Sequence, residues 1–349
     1  MAINLATKYS KQIDEVYTHE SFVAGKANGK YEFTGVKGVK IYAPVTVPVV
    51  DYTRSGTARY GTPTEMQDEV QELVVSQDKA FSLTIDKGNA SEQMGTKNAG
   101  ARLRQQMREQ VIPVQDKYAI SKYIEQAGKV AGVAAAPTKT TIIGMLSDAG
   151  VAMDNALVPT DGRYCFMGAT HVGVLRQADA IVALEGLGTK ALGKGVVGEC
   201  MGFKIVRIPD SYLPAGCYFL CFRAESVVNP HKIHDTKLHQ DPPGISGSLM
   251  EGRFLYDAFV LGKKADGVYA CVAANSKQAA PTISVSGGSA TITSASATKI
   301  LVTTDGSDPR YSDTAQTVTS GGTLTVGSAY NLKAVAYGAF TSDVAAKSA

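Results

Sequence analysis

The chain of 349 residues contains no tryptophan, and its cysteines are few and oddly placed. Cys165, Cys200, Cys217, Cys221 and Cys271 are an odd set without a C-x-x-C pair. That pattern argues against a disulfide framework or a zinc module and instead predicts five small buried thiols in a reducing compartment. An excess of one charge is also missing, since 35 basic residues oppose 32 acidic ones for a net +3. Such balance gives no global field for gripping nucleic acid. At 44% apolar and 19% charged residues, the composition is that of a globular protein and not of a disordered tail. No apolar run approaches eighteen residues, so no helical membrane span is expected. Met1 to Ser10 lacks a signal-peptide core, and synthesis in a cytoplasm is the expectation.

Catalytic signatures are equally sparse. Gly193-Lys194-Gly195-Val196-Val197-Gly198 satisfies G-x-G-x-x-G, but a dinucleotide site needs a strand before it and a helix opening at its end. Neither is written into the flanking residues, and a loop is the better reading. His231, His234 and His239, with Asp235 and Asp241, offer zinc-ligating side chains, yet Pro230, Pro242 and Pro243 predict an extended segment that would not converge them. His171 is a lone histidine among apolar residues. Gly247-Ser248-Leu249 lacks the frame of a nucleophile elbow, and no carboxylate pair stands out as acid and base. No enzyme activity, cofactor or metal is expected.

What the chain has in quantity is glycine, 35 copies, and a sharp compositional break near residue 275. From Asn275 onward there is no Glu, Met, His or Cys, while Ser and Thr become abundant. Asn275 to Pro281 has the polar, proline-ended character of a linker. Beyond it, 282–286, 290–294, 299–304, 323–326 and 331–337 alternate apolar residues with Thr or Ser, punctuated by Gly287-Gly288, Asp305-Gly306 and Gly321-Gly322. Short strands at this spacing predict a small β-sandwich with a binding or covering role.

Upstream, residues 1–38 are weakly periodic and broken by Gly25, Gly29, Gly35 and Gly38, which suggests an extended arm. Val39, Ile41, Ala43, Val45, Val47 and Val49 then occupy every odd position, the period of a long strand with one apolar face. Pro44 and Pro48 restrict it to an edge. A second extended run covers 70–85, and 53–69 between them is polar and glycine-bearing. Together they predict a protruding hairpin. Isolated two-stranded hairpins are marginal and their edges invite aggregation. Either it folds onto its own domain, or a neighbouring copy supplies the missing partner.

Asn89 or Ser91 can cap a helix that Ala99, Leu103, Met107 and Val111, then Val114, Tyr118, Ile120 and Ile124, carry to about Gly128. It would be about 55 Å long at 1.5 Å per residue. Pro113 in its middle costs about 3 kcal/mol unless the rod bends. Arg102, Arg104 and Arg108 lie mostly on its polar side, either as a solvated face or as a contact with nucleic acid or an acidic neighbour. Residues 138–274 read as mixed α/β: helices at 140–156 and 172–183, strands at 163–168, 204–209, 217–223, 253–261 and 268–273. Residues 260–269 read as a hairpin with a polar turn.

The series Val36-Lys37-Gly38-Val39-Lys40, Asp51-Tyr52-Thr53-Arg54-Ser55-Gly56, Arg59-Tyr60-Gly61-Thr62-Pro63, Thr84-Ile85-Asp86-Lys87-Gly88-Asn89 and Glu251 to Val260, with the following 263–269 segment, resembles the major capsid protein of tailed bacteriophages over about residues 1–273. The resemblance implies an α+β fold. Residues 1–38 would be an N-terminal arm, 39–90 the E-loop hairpin and 91–137 the spine helix of the P-domain. Residues 138–250 would be mainly the A-domain, and 251–274 would return to the P-domain. Thr303-Thr304-Asp305-Gly306-Ser307-Asp308-Pro309 and Leu332 to Ala336 resemble the immunoglobulin-like domain at the C-terminus of chitobiases, which implies a surface module at 275–349. The function implied is a self-assembling icosahedral head shell around double-stranded DNA, with hexamers and pentamers of the chain itself. A separate scaffolding protein and a portal would be its partners, DNA would be contacted weakly, host-surface glycans are a candidate partner of 275–349, and no membrane is expected. Inter-subunit contact candidates are Tyr52, Arg54, Arg59, Tyr60, Arg102, Arg104 and Arg108. The chain would be assembled in the host cytoplasm and reside in the virion. The alternatives are an encapsulating-compartment shell protein and a glycan-binding protein acting through 275–349.

Overall fold

A computed structural model describes residues 20–31, 38–63, 65, 68–88, 99–178 and 196–349. At its centre is a six-stranded sheet. Its strands are β4 (Lys129–Val133), β5 (Arg163–Gly168), β6 (Val196–Cys200), β7 (Phe203–Ile208), β8 (Cys217–Arg223) and β13 (Val268–Ala273), in the order β4-β13-β8-β5-β7-β6. A strand covered on both faces needs apolar residues throughout, not at alternate positions. The Cys-Tyr-Phe-Leu-Cys-Phe run of β8 meets that need. Phe219 and Cys221 face one helix layer, while Leu220 and Phe222 face the other. Four of the five thiols, Cys165, Cys217, Cys221 and Cys271, are buried and free, with Cys200 half-buried.

One helix layer packs Ile142, Leu146, Ala149 and Met153 of a helix at Ile142–Asn155, and Val172 and Leu175 of a helix at Ala169–Arg176, onto that sheet. The other layer is the long rod, which divides into α1 (Ala99–Gln106), a π turn (Met107–Val111) and α2 (Ile112–Glu125). Pro113 has no N–H for the carbonyl of Glu109 and its ring crowds that oxygen. A wider turn just before it relieves the clash, and Ile112 N donates to Met107 O, five residues back. The extra residue rotates the downstream face by about 100°. The expected apolar stripe is therefore not continuous: Val114 is 50% exposed, whereas Ala119, Ile120, Tyr123 and Ile124 are buried against the sheet. The proposed caps at Asn89 and Ser91 lie outside the described residues.

A three-stranded sheet, β10 (His231–Gln240), β11 (Gly247–Tyr256) and β3 (Gln77–Asp86), runs beside the rod in the order β10-β11-β3. The extended run read as one strand over 70–85 is two. Asp68–Val74 (β2) pairs with Gly38–Pro44 (β1), whereas β3 crosses to β11. Buried Asp257 fixes the break between them. Its carboxylate accepts from Ser76 N at 2.9 Å, Ser76 Oγ at 2.8 Å, Tyr118 Oη at 2.8 Å and Ala258 N at 2.8 Å. Residues 260–269 are not a hairpin, because Gly262–Gly267 is a 3-10 helix and its flanking strands join different sheets: β12 (Phe259–Val260) pairs with β9 (Val227–Val228), whereas β13 pairs with β8.

Residues 282–348 form seven strands in two antiparallel sheets. Thr282–Ser286 (β14), Ser289–Thr293 (β15) and Gly322–Thr325 (β18) make the first; Lys299–Thr303 (β16), Gln316–Val318 (β17), Asn331–Tyr337 (β19) and Ala345–Ser348 (β20) make the second. Ile283, Ala290, Ile292, Ile300, Val302, Leu332, Ala334 and Ala336 fill the space between them. Gly287 and Gly288, at φ 57° and 77°, supply the positive-φ pair that a two-residue hairpin between β14 and β15 requires. β17 and β20 carry few apolar residues and escaped the sequence reading.

Candidate assembly surface

The hairpin is packed differently along its length. At its base Leu73 and Val75 are buried, and Val39 and Ile41 pack with them against Val228 and Leu261 of the body. The lower half therefore folds onto its own subunit. Pairing stops at Pro44↔Asp68, and the period-two stripe runs on unpaired through 45–50. Beyond Pro44, Val47 is 58% exposed, Val49 100% and Val50 56%. The strand is shorter than its periodicity predicts because proline lacks the N–H needed to extend the ladder.

The tip is locally ordered. Thr53 N donates to Arg59 O at 3.1 Å, Arg59 Nε to Gly56 O at 3.1 Å, and Gly61 N to Ala58 O at 3.1 Å. Tyr52 and Tyr60 meet edge to face with ring centroids 5.0 Å apart, although both are largely exposed. Gly61, at φ 80°, brings Val50 under the turn. Thus Tyr52, Arg59 and Tyr60 come together on one tip beside three bare valines, and Arg54 is exposed on the same loop. The sequence offers a neighbouring copy as a partner for the stripe, but its valines are absent from the contact candidates, because an alternating stripe by itself does not show where pairing stops.

The helix arginines divide. Arg104 and Arg108 are exposed, but Arg102 is half-buried and its guanidinium donates to Gln105, whose amide reaches Glu109 Oε1 at 2.7 Å. Arg102 belongs to the helix's own side-chain ladder.

Electrostatics elsewhere serve anchoring. Asp116 on α2 is buried and accepts from Ser21 Oγ and Phe22 N, both at 2.7 Å. Phe22 and Val23 are buried, with Phe22 edge-on to Tyr212. The described part of the expected arm, 20–31, is thus stitched to the rod; the rest, 1–19 and 32–37, lies outside the described residues. Burial pushes the Asp116 carboxyl above its ordinary value, against the pull of Ser21, Phe22 and Lys26. Burial also pushes the Cys271 thiol up to about 12, which keeps it an unreactive thiol.

Among the described residues no group of three or more His, Cys, Asp or Glu could hold a metal ion. His231 stacks on Tyr256, His234 packs edge-on to Phe254, and His239 sits 3.5 Å from Glu251, so they are spread along a strand. Of the G-x-G-x-x-G segment, 193–195 lie outside the described residues, and Gly198 sits within β6 and not at a helix start.

No protein-family model matches the sequence, and no curated protein matches it. Solved structures do match. A chain from Mycobacterium phage Che8 aligns with TM-score 0.61 and 18% identity, over 77% of this chain and 98% of that one. The capsid structure of cyanophage P-SCSP1u aligns with TM-score 0.63 and 14% identity, over 77% and 93%. The mature capsid of bacteriophage PhiM1 aligns with TM-score 0.61 and 14% identity, over 78% and 93%. Over about 77% of its length the chain therefore has the α+β fold of phage capsid subunits. The matches leave uncovered a stretch of this chain comparable in length to residues 275–349.

Proposed function

We propose that the chain is the major capsid protein of a tailed bacteriophage, assembling with copies of itself into the icosahedral head that encloses double-stranded DNA. The carrying observation is a hairpin whose base is braced on the body while its tip exposes Val47, Val49 and Val50 beside the Tyr52–Tyr60 pair. An exposed apolar patch of this kind marks an interaction site and is suited to a neighbouring copy. In the vocabulary of that fold, 39–90 is the E-loop, 91–137 the spine of the P-domain and 138–250 mainly the A-domain. Its role is structural and not catalytic, and its place is the virion. A scaffolding protein and a portal complete the set of partners.

Residues 275–349 form an immunoglobulin-like sandwich in this reading, supported by seven antiparallel strands in sheets of three and four. A glycan-binding role finds little support. Tyr311, Tyr337 and Phe340 are buried, Tyr330 is half-buried, and a sugar ring needs an exposed aromatic face.

Expression of the full chain, with any co-expressed scaffold it needs, followed by electron microscopy and sedimentation, tests the proposal. Closed shells, or hexamers and pentamers, are expected. A particle that stays monomeric at every concentration and salt condition would overturn it.

A further inference from the structure

The last carbonyls of an α-helix have no partner within the helix and are commonly served by a left-handed glycine just past its end. The rod at Ile112–Glu125 is finished differently. Gln126 N donates to Lys122 O and Ala127 N to Ile124 O, but the next four carbonyls are answered from far along the chain. Glu125 O accepts from Thr341 Oγ1 at 2.7 Å, and Gln126 O accepts from Tyr311 Oη at 2.6 Å. Ala127 O and Gly128 O both accept from Arg310 Nη1, at 2.7 and 2.9 Å. All three donors belong to the two-sheet unit at 282–348.

Arg310 places a cation at the negative end of the helix dipole. Its side chain is 8% exposed, and its guanidinium is held by Asp308 through Nε–Oδ1 at 3.0 Å and Nη2–Oδ2 at 2.7 Å. Tyr311 and Phe340 are buried in the same apolar cluster as Ile120, Tyr123 and Ile124 of the rod. Gly262 permits that approach, since a Cβ there would stand 2.8 Å from Tyr311 Cβ. The segment with linker composition is itself fastened, by Gln278 N to Phe340 O at 3.2 Å and by Lys277 to Asp343 at 2.5 Å.

The same junction reaches the hairpin. Gln71 on β2 donates from Nε2 to Val260 O at 2.9 Å and accepts from Gly262 N at 2.8 Å. Val260 N in turn donates to Gln126 Oε1 at 2.8 Å, and Asp313 N lies 3.4 Å from Val70 O.

We infer that residues 275–349 are a built-in brace that caps the end of the rod and sets the hairpin on the body, not a detachable ornament. A detachable ornament would meet the body through an exposed linker, whereas this unit supplies four hydrogen bonds and two aromatic side chains to the body's own interior. The inference rests on intramolecular contacts and stands independently of shell formation.

Hydrogen–deuterium exchange on the unassembled full-length chain tests it, with Arg310→Met and Tyr311→Phe as variants. Arg310→Met should speed exchange at least tenfold over 122–133 and 68–74, while β16 and β19 remain as protected as in the parent. Tyr311→Phe keeps the ring, removes one hydroxyl, and should show the same pattern at threefold or more; if Arg310→Met does not fold, this variant alone decides. Faster exchange confined to 282–348, or unchanged exchange at the rod end and hairpin in the variants that fold, would overturn the inference.

Discussion

Replacing Val47, Val49 and Val50 together with threonine probes the hairpin tip without disturbing backbone preference, because both residues are β-branched. In the free subunit the three side chains are 58%, 100% and 56% exposed, so they have about two side chains' worth of surface left to cover. Each covered position would lose a methyl worth about 0.8 kcal/mol and bury a hydroxyl at about 1 kcal/mol or more. The expected loss is then about 4 kcal/mol per contact, a weakening of about 10³ in association. Already exposed, the same positions should change the stability of the unassembled subunit by no more than about 0.5 kcal/mol each. Light scattering across a concentration series, checked by electron microscopy, reads the first effect; thermal unfolding of the unassembled chain reads the second. Shells that form at the parental concentration would refute burial of the tip in a neighbour. A subunit that unfolds on substitution would place the valines in its own core.

Asp257→Ala should strand the buried donors of Ser76, Tyr118 and Ala258 and destabilise the unassembled subunit by about 3 kcal/mol or more in urea titration. A loss under about 1 kcal/mol would show that the β2–β3 break does not depend on that carboxylate. Asp116 has its folded pKa raised by burial, so its contribution is most favourable at low pH and is lost as pH rises through that folded value. Stability profiles of the parent and Asp116→Asn should accordingly diverge above pH 4, the parent losing a component that the variant lacks; parallel profiles would contradict the assignment.

Much of the central sheet was legible because it is buried on both sides. The apolar runs of 217–223 and 268–273 show no alternation, and the bounds read from them match the strands observed, Cys217–Arg223 and Val268–Ala273. The break near 275 was equally plain, since composition changes where a second core begins. Legibility failed where partners are remote. The interruption at Val75–Ser76 depends on Asp257, far along the chain, and periodicity carried one strand straight through it. The phase shift after Pro113 arises from a π turn, which no local residue pattern announces. At the hairpin tip the contact candidates Tyr52, Arg54, Arg59 and Tyr60 share one loop because they are close in sequence, whereas Arg102, a candidate on the polar side of the helix, is half-buried and tied to Gln105.

By itself, the sequence determined that the chain is globular, nearly neutral and built from a mixed α/β body followed by a Ser- and Thr-rich β unit, with a period-two stripe at 39–49. Those properties follow from local composition and spacing, which set what each segment must bury. Only the tertiary structure decided that the stripe is half covered and half bare. It alone also decided that Thr341, Arg310 and Tyr311 finish a helix some two hundred residues upstream. Hydrogen bonds between such distant residues leave no periodic trace, because any side chain of suitable chemistry could be the donor until the fold brings one within reach.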